Sequence, residues 1–312
     1  MISNATVNPV LTGHAVQFMR ALGGYVGLLL LPAFPSAEQS ASYYVWKREN
    51  ALRVPRNLRH APGSAFPRSV PEISDDLYAC RDYAHEQPVP DEIRRKYANY
   101  IDADISAVRR NTDIIKLNHE LRVHDLVTGA GVPNSGVAKK WDDPDSDPKG
   151  DVDTAKEAIR KNCGLRPTVM VISEAVRLVL AVHPKIAERV KYTTTGITSL
   201  QLLAAYFEVP QIAVAEQVIN TANEGQALSP ADIWSDDVVL ALVNPARDLM
   251  VPTFGRTFWW SDFGSIGADD VPIQIVSYRD ETVASDVHRA RHFTDEKVVF
   301  DKAAYRINDV LT

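Results

Sequence analysis

The most regular pattern of apolar and polar residues in the chain spans residues 91–128. Apolar side chains recur there at the three- and four-residue spacing of an amphipathic helix. Pro90 precedes the run, acidic residues in its first turn suit the positive end of a helix dipole, and Gly129 follows it. The pattern predicts one continuous helix with a rise of about 57 Å; a break near Asn111 and Thr112, or a two-helix hairpin, is the alternative. The apolar positions are Ile93, Tyr97, Ile101, Ile105, Val108, Ile115, Leu121 and Leu126.

Shorter elements alternate after residue 150. We expect a helix with Asp151 or Asp153 as its N-cap and Gly164 at its end, and Ser173 as the N-cap of the next helix. Pro184 suits the first turn of a third helix. Apolar runs predict buried strands at 166–173, 209–216 and 237–245, a helix at 199–207, and extended segments at 253–260, 272–280 and 297–311. The chain is therefore predicted to be α+β, without internal repeats and without the regular βαβ series of a doubly wound sheet.

Residues 21–34, "ALGGYVGLLLLPAF", are the most apolar stretch near the N-terminus. They are too few to span a bilayer as a helix. We interpret them as an arm that packs on the rest of the protein. The alternative is the hydrophobic region of a signal peptide, because Arg20 precedes the stretch.

Residues 40–74 predict two extended limbs around a Pro-Gly-Ser turn at 62–64. The segment has few large apolar residues, so it cannot form a core of its own. Between residues 47 and 68 Glu49 is the one acidic residue. The segment therefore rests on a partner surface or stays a solvated loop, and the spacing alone favours neither. Its lysines and arginines are Lys47, Arg48, Arg53, Arg56, Arg59 and Arg68.

Six aspartates crowd residues 141–153, "WDDPDSDPKGDVD". Asp143 begins an alternation of carboxylates like that of a calcium-binding loop, in which oxygen ligands converge on one cation. Position 6 of such a loop requires glycine and is Pro148, and position 12 requires glutamate and is Thr154. We expect no metal here, and interpret the stretch as an extended connection into the next helix.

Composition narrows the class of protein. The chain has 312 residues, 45% hydrophobic and 24% charged, which is typical of a soluble globular protein of one large domain or two. Its net charge of −6 does not suggest a surface that neutralises phosphates. Cys80 and Cys163 have no ligand spacing, so we expect buried free thiols.

No catalytic constellation emerges from the motifs. Glu120, beside His119, is interpreted as part of a solvated helix surface, and His183 as a capping or packing residue at a helix junction. Trp259 and Trp260 could form the bottom of a ligand pocket, but clustered aromatic residues more often pack in a core or form an interface stripe. Nearby aromatic residues include Phe254 and Phe258. We expect no enzyme activity and no cofactor.

The order of these pieces resembles the major capsid proteins of tailed phages with the Hong Kong 97-like fold. The resemblance rests on "RPTVMVISEAVRLVLAVHPKIAERVKY" at 166–192, "LAAYFEVPQIAVAEQVINTANEGQ" at 203–226, "IWSDDVVLALVNP" at 233–245 and "PTFGRTFWW" at 252–260. An apolar arm, a basic hairpin, a long helix and the aspartate-rich stretch precede these segments in the order typical of that family.

The resemblance implies a division of the chain. Residues 1–39 would be an N-terminal arm, 40–74 the extended β-hairpin loop, and 75–150 a peripheral domain whose spine helix is 91–128. Residues 151–263 would be an α/β axial domain, and 264–312 would return to complete the peripheral sheet. The loop would lie over a neighbouring subunit, which makes its six basic residues candidate intersubunit contacts. The aromatic cluster would be a packing or interface stripe.

The resemblance also implies a function. The chain would assemble with itself, in the host cytoplasm, into pentamers and hexamers of an icosahedral phage head that encloses double-stranded DNA without sequence-specific binding. A portal protein, a separate scaffold protein and possible decoration proteins would be its partners; the scaffold is expected to be separate because only about forty residues precede the loop. Some members of this family join their subunits by a lysine–asparagine isopeptide bond; Lys47 lies near the loop, but the partner asparagine and the assisting acid are not matched to residues of this chain, so no crosslink is assigned. The alternatives are a protein nanocompartment subunit of the same fold, and an α+β enzyme with a pocket near Trp259 and Trp260.

Overall fold

A computed structural model describes most of the chain. The described residues are 5–20, 23–45, 47, 58–59, 63, 66, 68, 74–129, 131–190, 199–248, 251–262 and 273–312.

Within these ranges helices and strands occur in similar proportion, as an α+β chain requires. The helices are α1 (Pro9–Arg20), α2 (Gly27–Leu30), α3 (Asp91–Tyr97), α4 (Ala103–Thr128), α5 (Pro148–Cys163), α6 (Glu174–Val182), α7 (Pro184–Val190) and α8 (Leu200–Phe207). The strands are β1 (Thr6–Val7), β2 (Ala33–Ser36), β3 (Ser40–Val45), β4 (Ser74–Ala79), β5 (Arg81–Pro90), β6 (Asn134–Gly136), β7 (Val169–Ser173), β8 (Gln211–Ala215), β9 (Val218–Asn220), β10 (Pro230–Asp232), β11 (Val238–Ala241), β12 (Gly255–Trp260), β13 (Gln274–Asp280), β14 (Ser285–Val298) and β15 (Ala304–Asn308).

Strand β14 organises a six-stranded sheet. Along one edge it pairs antiparallel with β5, and along the other with β13 and then β12. Strands β1 and β2 extend the sheet beyond β13 and β12. Helices α1 and α4 cover it through an apolar cluster that includes Leu11, Val108, Ile115 and Ile275. The buried stripe of the long helix therefore faces this sheet.

A five-stranded sheet of order β6-β15-β11-β7-β8 forms the second layer. Every residue of β7 and β11 is buried, as the continuous apolar runs predicted. Met170, Ile172 and Leu240 are fully buried, and burial of such a side chain contributes about 1.5–3 kcal/mol. Strands β7 and β8 are parallel, so helices α6 to α8 form the crossover between them.

Two C-terminal strands pair differently from the predicted division at residue 263. Strand β12 was expected in the axial unit, but it pairs with β14 and β2 in the six-stranded sheet. Strand β15 was expected to complete the peripheral sheet, but it pairs with β11 and β6 in the five-stranded sheet. Both strands are extended, as predicted. Their partners lie far away in sequence, so local pattern carried no information about which sheet they join.

The prediction of one continuous helix over residues 91–128 is wrong. Helix α3 ends at Tyr97, whose carbonyl accepts hydrogen bonds from the Tyr100 and Ile101 amides at 2.9 and 3.0 Å. Asp102 then caps α4, because its carboxylate accepts from the Asp104 and Ile105 amides at 3.0 and 3.1 Å. The apolar spacing continues across this cap, which is why it concealed the break.

The alternative break near Asn111 and Thr112 is also wrong, since α4 is continuous there. The Asn111 amide turns towards the sheet and donates to the His288 carbonyl at 2.8 Å. The Thr112 hydroxyl donates to the Val108 carbonyl one turn earlier at 2.8 Å. Both polar groups are thus satisfied without interrupting the helix.

The aspartate-rich stretch forms consecutive turns from Trp141 to Asp145, not an extended connection. Helix α5 begins at Pro148, with Asp147 at the N-cap position, so neither Asp151 nor Asp153 is the cap. Proline suits the first helical position because it has no N–H to leave unsatisfied.

Several local predictions are confirmed. Gly164 ends α5 with a left-handed φ of 74°. The Ser173 hydroxyl caps α6 by accepting from the Val176 amide at 3.3 Å. Cys80 and Cys163 are buried, and neither forms a disulfide. In the apolar arm, Leu30 and Leu31 are fully buried, although helix α1 before them was not predicted.

Candidate assembly surfaces

The predicted extended segment is anchored on a fixed base. Its limbs begin as the antiparallel pair β3 and β4. The Tyr78 ring stacks on Phe258 of β12 with 4.4 Å between centroids, and the Tyr43 ring lies 5.0 Å from the same ring. All three residues are buried. The point at which the chain leaves the sheet is therefore held by aromatic packing.

Polar contacts complete this base. The Tyr43 hydroxyl donates to the Asp76 carboxylate at 3.2 Å, and the Ala79 amide donates to the Asp295 carboxylate at 2.9 Å. Burial, and then the Asp76 charge, raise the pKa of Tyr43. Burial also raises the pKa of the Cys80 thiol to about 12, so this cysteine stays protonated and unreactive.

The structure describes three of the six basic residues predicted as intersubunit contacts. Lys47 is half-buried, and Arg59 and Arg68 are exposed. Two apolar side chains of the same segment are also exposed, Leu58 by 63% and Phe66 by 70%. Arg48, Arg53 and Arg56 lie outside the described residues.

The four aromatic residues predicted as a packing or interface stripe do not form one surface. Phe254 belongs to the large core around the five-stranded sheet, and Phe258 to the small core beneath β3 and β4. Trp259 is 3% exposed, so its ring faces the interior. Trp260 is half-buried, donates from its indole N–H to the Ala37 carbonyl at 3.0 Å, and meets the Phe293 ring edge-on at 5.7 Å.

The break between α3 and α4 produces an exposed apolar face that the sequence pattern concealed. Ile93, Tyr97 and Ile101 were assigned to the buried stripe of one long helix, but they are 48%, 42% and 55% exposed. No residue of α3 is buried. The signal that could have separated them is the sequence Asp102-Ala103-Asp104, a capping residue followed by an acidic first turn.

The prediction that Glu120 lies on a solvated helix surface is wrong, because the residue is 1% exposed. Its carboxylate accepts from the Val26 and Gly27 amides at 3.1 and 2.8 Å, and from the Trp234 indole N–H at 2.6 Å. Burial raises the pKa of Glu120, and these three hydrogen bonds oppose that shift. One carboxylate thus joins the N-terminal arm, the long helix and the loop before β11.

His119, next to Glu120, is also buried, at 4% exposure. Its ring meets that of His292 edge-on at 5.6 Å, and its Nε2 atom lies 3.5 Å from the Glu296 carboxylate. Burial lowers the pKa of His119 to about 4 and that of His292 well below its ordinary value. Burial alone would raise the pKa of Glu296, but the Arg122 guanidinium, 2.9 Å away, holds it at about 2.

The interpretation of His183 as a packing residue is confirmed, since its Nε2 atom lies 3.0 Å from the buried Ser146 hydroxyl. In the aspartate-rich stretch, the Asp151 carboxylate accepts from the Trp141 indole at 2.9 Å. Asp153 pairs with Lys149 and Lys156 at 3.0 and 2.7 Å. Among the described residues, no three histidine, cysteine, aspartate or glutamate side chains converge to hold a metal ion.

None of the helices in the described part of the chain combines the length and the apolar character needed to cross a membrane.

Comparison with known proteins identifies relatives over most of the chain. No family model matches. The protein named major capsid protein of Burkholderia phage BcepMu (isolate -/United States/Summer/2002) is 30% identical over 270 residues, which cover 80% of this chain and 82% of that protein. A crystal structure of a phage-related protein from Bordetella bronchiseptica RB50 aligns with a TM-score of 0.75 and 27% identity, over 99% of this chain and 98% of that chain.

More distant structures share the fold alone. A virus-like particle from Pyrococcus furiosus aligns with a TM-score of 0.58 and 12% identity, over 96% of this chain and 98% of that one. The capsid of cyanophage P-SCSP1u aligns with a TM-score of 0.57 and 10% identity, over 91% and 87% of the two chains.

Proposed function

The chain belongs to the phage major capsid proteins and has the Hong Kong 97-like fold, and we propose that many copies of it form the icosahedral shell of a phage head. The observation that carries this proposal is the 30% identity to a phage major capsid protein over 80% of the chain. The alignment over 99% of the chain with a phage-related protein from Bordetella bronchiseptica RB50 supports it. In this role the chain is a structural subunit located in the virion, not an enzyme.

We propose that the two sheets belong to two domains with different positions in the assembled shell. The six-stranded sheet with α4 as its spine would form the peripheral domain, and the five-stranded sheet with α5 to α8 the axial domain. Axial domains would then gather around the centres of pentamers and hexamers. The buried Glu120 contacts support a fixed relation between the two units, because they connect α4 to Trp234 near the axial sheet.

We propose that the extended segment 40–74 lies over a neighbouring subunit. Its base is buried against Phe258, whereas Leu58 and Phe66 beyond that base are exposed in the single chain. The proposed contacts are the six basic residues named above. Reversing the charge of Arg68 should lower the yield of assembled particles without changing the unfolding of the free subunit, because this side chain is exposed.

We propose that the shell encloses double-stranded DNA without binding it tightly. A net charge of −6 supports this, since a strongly basic inner surface would bind DNA tightly. A portal protein, a separate scaffold protein and decoration proteins are the partners we propose. The second candidate function is that of a nanocompartment subunit. It is favoured by a similarity of fold to an encapsulin complex from Synechococcus elongatus, with a TM-score of 0.51 and 13% identity.

The test is sedimentation of the purified chain, first alone and then co-expressed with the genes beside it. A fast-sedimenting species composed of this chain supports the proposal. Nuclease-protected DNA inside particles made during infection distinguishes a phage head from a nanocompartment, which would hold cargo enzymes. A chain that stays monomeric with its genomic neighbours present contradicts the proposal.

A further inference from the structure

The short helix α3 exposes an apolar face to solvent. Ile93 and Tyr97 lie four residues apart on one side of this helix, and Tyr100 and Ile101 follow in the turn before α4. Tyr100 is 84% exposed. These four residues, named here the α3 patch, are four of the sixteen exposed large apolar residues in the described chain, although they span only nine positions. Clustered exposure of this kind marks an interaction surface.

The α3 patch borders a groove. A cavity of about 210 Å³ lies between the end of β5, α3 and the first turns of α4. Pro88, Val89, Ala103 and Ala107 line it together with members of the patch. Gln87 and Ser106 also line the groove, so the groove and the patch form one continuous surface in which apolar side chains predominate.

Ion pairs hold α3 in place. Arg94 reaches Asp104 of α4 and Asp286 of β14, each at 2.6 Å. Arg279 of β13 pairs with Asp91 at 2.7 Å. A helix of seven residues has little stability of its own, so these pairs fix an element that packing does not bury. The α3 patch is therefore presented in a defined orientation.

The charges beside the α3 patch are self-complementary. Glu92 and Lys96 are both exposed and, being four residues apart, lie on the same flank of the helix. If two copies of α3 lie antiparallel across a twofold axis, Ile93 of each copy meets Tyr97 of the other. Glu92 of each copy then comes within reach of the other copy's Lys96. A parallel arrangement would instead place like charges side by side.

We propose that the α3 patch pairs with the α3 patch of a second copy of this chain, antiparallel across a twofold axis. An isologous contact uses the same surface twice, which the apolar centre and the charged flank both permit. The inference rests on the proposed function, which brings many copies together, and it adds the residues and the symmetry of one contact between them.

The test uses two charge reversals, Glu92→Lys and Lys96→Glu, produced separately and by co-expression of the two variant chains. Each variant alone places like charges opposite each other in the pair, so its yield of shells should fall severalfold below that of the unmodified chain. In a mixed pair, the flank of one chain carries two positive charges and the flank of the other carries two negative charges. Opposite charges then meet on both sides of the axis, so co-expression should restore the yield. An effect within one helix cannot be rescued by a second chain.

Asp125→Lys, at an exposed position of α4, is the matched control and should assemble like the unmodified chain. Single variants that assemble normally, or a mixture that fails as the single variants do, would overturn the α3 pairing while leaving the proposed function intact. The unmodified chain is measured in parallel. If it forms no shells with its genomic neighbours, the proposed function fails and the pairing fails with it.

Discussion

Replacing Glu120 by alanine should strongly destabilise the folded subunit. The substitution removes the acceptor of three hydrogen bonds, from the Val26 amide, the Gly27 amide and the Trp234 indole. Each buried donor left without a partner costs about 1–3 kcal/mol. Partial relaxation of the arm would recover some of this, so the expected loss in the free energy of unfolding is about 3–6 kcal/mol.

Glu120→Gln should lie between alanine and the unmodified chain. Its amide oxygen can still accept from two of the donors, because the Val26 amide and the Trp234 indole share one carboxylate oxygen. Its NH₂ group would then face the Gly27 amide, donor against donor, so the expected loss is about 1–3 kcal/mol. Asp125→Ala, on the exposed side of the same helix, should change stability by less than about 0.5 kcal/mol.

The assay is denaturant unfolding of the unassembled subunits at pH 7, followed by far-ultraviolet circular dichroism. We expect the unmodified chain and Asp125→Ala to be the most stable, followed by Glu120→Gln and then by Glu120→Ala. If Glu120→Ala unfolded at the same denaturant concentration as Asp125→Ala, the proposed joint between arm, long helix and Trp234 would be refuted.

Three further predictions concern the buried histidines, the cap of α4 and a crowded glycine. His119 and His292 are buried with lowered pKa values, so as the pH falls the unfolded chain binds protons before the folded chain does. The free energy of unfolding should therefore decrease as the pH drops from about 6.5 to about 4, and His119 accounts for about 3 kcal/mol of this decrease. Denaturant unfolding at pH 7 and at pH 5 tests the sign. Asp102→Ala should cost about 1 kcal/mol through loss of the α4 cap, measured as a lower unfolding midpoint. Gly255→Ala should cost about 1–3 kcal/mol or prevent folding, because the added Cβ atom would lie 2.6 Å from a carbonyl oxygen of β14. Gly136→Ala is the control: its Cβ atom would meet no atom within 4 Å, so this variant should unfold like the unmodified chain in the same assay.

The features predicted well from sequence depend on neighbouring residues. Ser173 and Gly164 were recognised because a capping hydroxyl or a left-handed glycine acts on the adjacent turn. The runs that became β7 and β11 were recognised because strands buried on both faces are continuously apolar. The fold itself was predicted from the resemblance to a known family, because that resemblance depends on the order of many such local segments along the chain.

The features missed depend on distant residues. Glu120 is charged and follows a histidine, which suggested a solvated position, but its three hydrogen-bond donors come from residues 93 to 114 positions away. The sheet that β15 joins is likewise determined by its pairing with β11, which lies far earlier in the chain. At Asp102 the apolar spacing and the cap gave opposite indications, and the cap determined the structure.

Electron cryomicroscopy of the assembled chain shows whether it builds a closed shell. We expect icosahedral particles whose repeating unit is this chain, arranged in pentamers and hexamers, with residues 40–74 lying over an adjacent copy. Particles built from other proteins, or assemblies of this chain without closed symmetry, would contradict this expectation.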